Sequence, residues 1–231
     1  MSSSGEPKDW GTVLLSLPEF ARTMSVLGVE KSNMPEHARH EDSVPYPTYF
    51  HPRADSDITQ RQLRLRERAR PNLFAFAGAK RPEMPSSIRT HLIDQCRLAR
   101  GSCELLEFVR GATAHRVSPT AVFRLFEDSV FCLQPPGDSY TRRSVFDAMM
   151  CACVPVLFHP HTAYTQYLWH LPKDPDSYSV FIPEDSIRNG SVVIEDVLRA
   201  IPPARSHAMR ETLIALLPRL VYAHPESRLE H

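Results

Sequence analysis

Residues 131–158 read FCLQPPGDSYTRRSVFDAMMCACVPVLF, and this stretch decides the fold. An apolar run ending at Leu133 gives way to a proline–glycine turn. A helical pattern follows from Arg142 to Met150, and a second apolar run, Val154 to Phe158, closes the stretch. Strand, tight loop, helix, strand is the repeating unit of a parallel sheet covered by helices. Gly137 allows the loop a close approach to a ligand, and Ser139, Thr141 and Ser144 offer hydroxyls. Arg142 and Arg143 stand at the helix start, where unpaired backbone N–H groups and the dipole already favour an anion. One turn further on, Asp147 could accept hydrogen bonds from a pair of ribose hydroxyls. Physics alone leaves two readings open: a phosphate-binding loop, or a capped helix whose arginines pair with Asp138 or Asp147.

The pattern extends in both directions. A basic helix is expected over 56–70. Short apolar strands are expected at Leu73–Ala77, Glu104–Val109 and Ser179–Ile182, with Ser129–Leu133 heading the quoted stretch. Ile88, Leu92, Ile93 and Cys96 share one helical face, and Ser118-Pro119 is a serine N-cap with proline at the first helical position. Two amphipathic helices close the chain, marked by Val193 to Ile201 and Met209 to Leu220. Toward the N-terminus, residues 1–10 read as an unstructured lead, and Val13 to Leu17 as a strand. Residues 30–55 read as a proline-rich loop in which VPYPTYFHP (44–52) runs extended. Its aromatics Tyr46, Tyr49 and Phe50 are expected to pack on the domain. The expected architecture is α/β: a Rossmann-like parallel sheet flanked by helices over 56–231, preceded by an arm over 1–55.

Composition removes several functions. The 231 residues carry 27 basic and 27 acidic side chains, so no net field recruits nucleic acid or a membrane surface. No apolar run reaches the ~20 residues of a membrane span. The 21 prolines against 8 glycines predict a large share of stiff connections. Five cysteines at 96, 103, 132, 151 and 153 fit no zinc spacing; they read as buried thiols, with one disulfide involving Cys96 or Cys103 as the alternative. The arginines at 61, 64, 66, 68 and 70 read as a solvated helix face. The Asp-x-Asp strings at 55–57 and 174–176 read as turn or cap chemistry in place of a metal motif, and Asn189-Gly-Ser191 as a turn or a glycosylation acceptor. His159-Pro-His161 reads as a strand-end loop from which His159 could reach a pocket. Tyr164, Tyr167 and Trp169 fit sugar stacking or core packing equally.

Beyond these readings, the segment resembles the exostosin family of glycosyltransferases, in its plant branch that includes xyloglucan galactosyltransferases. The matching stretches are VPYPTYFHP (44–52), LFAFAGAKRP (73–82), SIRTHLIDQC (87–96), FCLQPPGDSYTRRSVFDAMM (131–150), VPVLFHPHTAYTQYLWHLPK (154–173) and YSVFIPE (178–184). The resemblance implies the second half of a GT-B-type glycosyltransferase with a UDP-sugar donor, UDP-galactose, and a polysaccharide acceptor, the xylose side chains of xyloglucan. Transfer would invert the anomeric centre, with no cofactor and no metal. Gly137, Asp138, Ser139, Arg142, Arg143 and Ser144 would surround the diphosphate and Asp147 the ribose, with Gly78 and Arg81 forming a second phosphate-side loop. Relatives imply the luminal side of the Golgi membrane, reached by an anchor ahead of an acceptor domain. This chain matches only the last part, from about Trp10, so residues 1–55 are expected to be a remnant of the acceptor domain, and no catalytic base is assigned. The alternative is a truncated, non-catalytic domain that binds UDP weakly or not at all. Ala152 and His161 stand where relatives usually carry glycine, changes that could narrow the sugar pocket.

Overall fold

The computed structural model describes residues 25–32, 41–108 and 118–229. Seven strands alternate with seven helices in it. The strands are β1 (Val26–Gly28), β2 (Glu41–Ser43), β3 (Asn72–Gly78), β4 (Cys103–Glu107), β5 (Ser129–Gln134), β6 (Val154–Leu157) and β7 (Val180–Phe181). The helices are α1 (Asp55–Glu67), α2 (Arg89–Leu98), α3 (Pro119–Glu127), α4 (Arg143–Met150), α5 (Glu184–Arg188), α6 (Ile194–Arg199) and α7 (Pro203–Leu220). β3 to β7 form one sheet in the order β4-β3-β5-β6-β7, parallel throughout, which is the expected Rossmann-like α/β architecture.

Period-two alternation builds two cores from these strands. Phe74 and Phe76 of β3, with Phe131 and Leu133 of β5, join the large core that also holds α2, α6 and the inner face of α7. Ala75, Ala77 and Cys132 face the other way, toward Leu125 and Phe126 of α3. Because both faces are covered, the strands read as nearly continuous apolar runs. Each fully buried phenylalanine contributes roughly 1.5–3 kcal/mol. The serine cap of α3 is present, with Ser118 Oγ accepting from Thr120 N at 3.2 Å.

Several expectations are corrected. Four cysteines pair, Cys96 with Cys103 and Cys132 with Cys153, leaving Cys151 as the buried thiol. The parallel register sets Phe131 opposite Val154, which brings 132 and 153 to a Cα separation of 5.8 Å, within disulfide range. The solvated arginine face fails at two positions. Arg61 is buried and donates to Met150 O from Nε at 2.9 Å and Nη2 at 2.7 Å. Arg70 donates to Phe126 O, Ser129 O and Cys151 O at 3.1, 2.6 and 2.6 Å, and burial pushes its pKa down to about 10. The reason is that helix C-termini end in carbonyls with no partner of their own, and guanidinium donors satisfy them. Arg64 and Arg66 remain exposed as expected. Within the supposed loop 30–55, β2 pairs in parallel with β1, and α5 was not anticipated. The proposed strand at Val13–Leu17 lies outside the described residues.

The arm does pack on the domain. Tyr46 and Phe50 lie against the core, and Tyr49 sets its ring edge-on to Phe123 at 6.1 Å. The C-terminal segment clasps it: His224 N donates to Pro52 O, Arg228 N to Arg53 O, and Tyr222 Oη to Pro45 O.

Ala152, at the turn between α4 and β6, adopts φ +50°, a left-handed conformation that costs a non-glycine residue ~1–2 kcal/mol. Ala152→Gly is expected to stabilise the fold by up to about 1 kcal/mol, read from the urea midpoint. Arg61→Ala, which strips the Met150 carbonyl of its donor, is expected to cost about 3 kcal/mol in the same measurement.

Candidate functional site at the carboxyl edge of the sheet

β3 sits between β4 and β5, so the chain adds strands to one side of β3 and then crosses to the other. The crevice at such a reversal, at the carboxyl ends of the strands, is where doubly wound sheets take ligands. Here it lies between Gly78 and Gln134 and is bordered by residues 79–88 and 135–142. Arg81 forms an ion pair with Asp138 across it, and Arg89 Nη2 donates to Pro136 O at 3.2 Å. Arg142, the N-cap of α4, donates from Nη1 to Pro135 O at 3.3 Å. Burial pushes its pKa down to about 9, and the charges of Arg89 and Arg81 push the same way, against smaller offsets from Asp147 and Asp138. Three guanidinium groups therefore share one crevice, and the Asp138 carboxylate that pairs with Arg81 is itself 86% exposed to water. An anion there would relieve their repulsion.

Arg143 turns another way. Its guanidinium stacks 4.3 Å above the Tyr49 ring, donates to Tyr49 Oη at 2.6 Å and places Nε 3.3 Å from Asp147 Oδ2. Asp147 is buried beneath it, and burial raises its pKa to about 6 despite both arginines. Its Oδ1 has no hydrogen-bond partner among the described residues. Ser144 Oγ donates to Gln134 Oε1 at 2.7 Å, and the amide nitrogen of Gln134 is buried and, among the described residues, unpartnered. An unsatisfied acceptor and an unsatisfied donor at the end of β5 and in the first turn of α4 call for a ligand's hydroxyls or carbonyls, because buried polar groups normally find partners.

Beside the crevice opens a cavity of about 390 Å³. Ser86 and Ser87, Gly137 to Tyr140, His159, Glu184 and Arg188 line it. His159 stacks on Tyr140 at 4.0 Å; its pKa is lowered first by burial, then by His161 and Arg188. Burial raises Glu184, which Arg188 holds at 2.8 Å. Ser139 Oγ donates to Glu30 Oε1 at 2.6 Å, a carboxylate delivered by the segment after β1. Gly78 has a packing reason of its own: a Cβ there would come within 2.7 Å of the buried Phe76 ring. Gly137 has no such reason, since the nearest atoms to a Cβ would lie at 3.8 Å.

All nine residues singled out in the sequence thus stand at one end of the sheet, in two groups. Gly78, Arg81, Gly137, Asp138, Ser139 and Arg142 border the crevice; Arg143, Ser144 and Asp147 line the first turn of α4. Arg89, Gln134, Glu30 and Glu184 were missed. Arg89 was legible, for it occupies the buried stripe of its helix three residues before Leu92. Glu30 and Glu184 come from segments whose placement no local pattern announces. The Asp-x-Asp strings do cap: Asp57 accepts from Arg53 N and Ala54 N, Asp174 from Asp176 N. Asn189-Gly-Ser191 forms a turn with Gly190 at φ +68°. Tyr167 is core, Tyr164 half-buried and Trp169 exposed. His161 flanks Tyr140 at 5.6 Å and bonds Thr165.

The buried Asp147 has a measurable consequence. Its folded pKa of about 6 exceeds the ordinary 3.8 of the carboxyl, so the carboxylate increasingly penalises folding as pH rises through that window. Asp147→Asn is expected to raise stability by about 2 kcal/mol at pH 8, a gain that vanishes near pH 4; urea melts at both values check it.

The Exostosin GT47 domain model matches residues 3–198 of the chain. Xyloglucan galactosyltransferase MUR3 of Arabidopsis thaliana is 51% identical over 98% of this chain and 36% of its own length. Xyloglucan galactosyltransferase XLT2 of Arabidopsis thaliana is 42% identical, over 96% of this chain and 42% of its own length. The chain thus spans less than half the length of these curated relatives. Among solved structures, Anabaena Alr3699/HepE in complex with UDP superposes with a TM-score of 0.46 at 12% identity, covering 94% of this chain and 66% of that one. The chain belongs to the Exostosin GT47 domain family.

Proposed function

We propose that the chain is the donor-binding part of an inverting xyloglucan galactosyltransferase. The observation that carries this reading is the convergence of Arg81, Arg89 and Arg142 at the strand-order reversal. A nucleoside diphosphate would meet the donors of all three groups at once, and the N-terminus of α4 adds its dipole. Each charge-assisted bond from arginine to phosphate contributes about 1.5–3 kcal/mol. Asp147, with one oxygen unpartnered, is suited to accept from ribose hydroxyls. The cavity under Tyr140 and His159 then takes the sugar.

During transfer an acceptor hydroxyl gives its proton to a general base, for which no residue of this chain is assigned, and attacks the anomeric carbon as the bond to the diphosphate oxygen breaks on the opposite face. Negative charge grows on the departing UDP, where the arginines already point, an electrostatic role like that of an oxyanion hole. Arginines supply this neutralisation without a cofactor. Xyloglucan as acceptor follows from the names of the Arabidopsis relatives. Two disulfides favour an oxidising compartment, in keeping with the Golgi lumen. Among the described residues no helix is long and apolar enough to cross a membrane.

Calorimetric titration of the chain with UDP, UDP-galactose and GDP tests the donor site. Uridine nucleotides are expected to bind in preference to GDP, at least tenfold more weakly in Arg142→Ala and in Asp147→Asn, with near-ultraviolet circular dichroism confirming that both variants fold. A folded wild-type chain that binds neither uridine nucleotide would overturn the proposal.

A further inference from the structure

A second cavity, of about 430 Å³, runs between α1 and α3 on the flank of the sheet, away from the sugar cavity. Its walls carry four guanidinium groups, Arg61, Arg64, Arg68 and Arg124, against the single carboxylate of Glu127. Arg61 is committed to the Met150 carbonyl and lies over the rings of Phe50 and Phe123, at 4.9 and 5.4 Å. The other three are available in different degrees. Arg68 pairs with Asp128. Arg64 shares Glu127 Oε1 with Arg61, both at 3.3 Å, and its side chain is 60% exposed. Arg124 is exposed and makes no ion pair among the described residues. The groove follows α3, whose nine residues span about 13 Å, longer than one pyranose ring. Tyr49 lines the groove; its ring meets Phe123, another lining residue, and also carries Arg143, the cover of Asp147.

We propose that this groove binds an oligosaccharide bearing uronic-acid carboxylates, leading toward the donor site past Tyr49. The inference rests on the glycosyltransferase reading above for its choice of a saccharide, and on the groove itself for the charge. Arginine forks match carboxylates in two-point contact, and the aromatic rings at Tyr49 and Phe123 offer apolar faces to sugar C–H groups. A nucleic acid is disfavoured because the chain as a whole is neutral. An acidic peptide would find the charge, but the described walls of the groove are helices and arm residues, with no sheet edge to fix its register.

The test is calorimetry of the whole chain with an oligogalacturonide, a neutral xyloglucan oligosaccharide, polyglutamate of matched charge and a single-stranded oligonucleotide. The oligogalacturonide is expected to bind at least tenfold more tightly than the other three. Arg64→Ala combined with Arg124→Ala, both exposed positions, is expected to weaken it at least tenfold while leaving UDP affinity unchanged. Loss of UDP binding in the wild-type chain with oligogalacturonide binding intact would remove the donor-site reading and leave the groove standing. No binding of oligogalacturonide, binding undiminished in the double variant, or equal binding of polyglutamate, the oligonucleotide or the neutral sugar would overturn the groove proposal.

Discussion

The carbonyls at the C-terminal end of α4 are held by guanidinium groups, and the placement of the candidate site depends on that hold. Arg61 takes Met150 O and Arg70 takes Cys151 O, both from outside the sheet. Immediately beyond, Ala152 turns the chain through a left-handed conformation into β6. With its C-terminal end fixed, the eight-residue helix presents its N-terminus at a set height above the sheet, and Arg142, Arg143 and Asp147 take their positions from it. Buried arginines on backbone carbonyls are costly to desolvate, yet here each replaces water at a helix end that would otherwise be unsatisfied.

At the other end of α4 the balance is reversed. Arg142 is depressed by burial and then by its neighbours, Asp147 is raised by burial, and the Gln134 amide and the Asp147 oxygen lack partners among the described residues. Each of these lowers stability in the isolated chain, and each is what a diphosphate and a ribose would satisfy. The molecule thus spends satisfied polar groups on its framework and leaves unsatisfied ones at the crevice, the division expected when binding, not folding, selects a residue.

Much of this was readable from the residues. The run from 131 to 158 announces strand, loop and helix because apolar period, turn residues and helix start agree over a short span. Gly78, Arg81 and the loop ahead of Asp147 stand at the carboxyl end of the sheet, since any loop after a parallel strand must emerge there. What local pattern could not supply was the partner of each charge. Arg61 and Arg70 look solvated until the carbonyls of α4 are brought against them, eighty or more residues away in sequence. The same holds for Cys132 and Cys153, whose pairing follows from strand register, and for Glu30, which meets Ser139 only because the arm folds back.

The disulfide between Cys132 and Cys153 crosses from β5 to the threshold of β6, directly behind the loop that begins at Pro135. It closes a ring of chain that contains the whole of α4 and the turn before it. A chain synthesised where thiols stay reduced would therefore be a different material from one made in a secretory compartment: the same sheet, with the segment that carries α4 held by strand pairing and the arginine contacts alone. Preparations from bacterial cytoplasm and from a eukaryotic secretion host should not be treated as interchangeable samples of this protein.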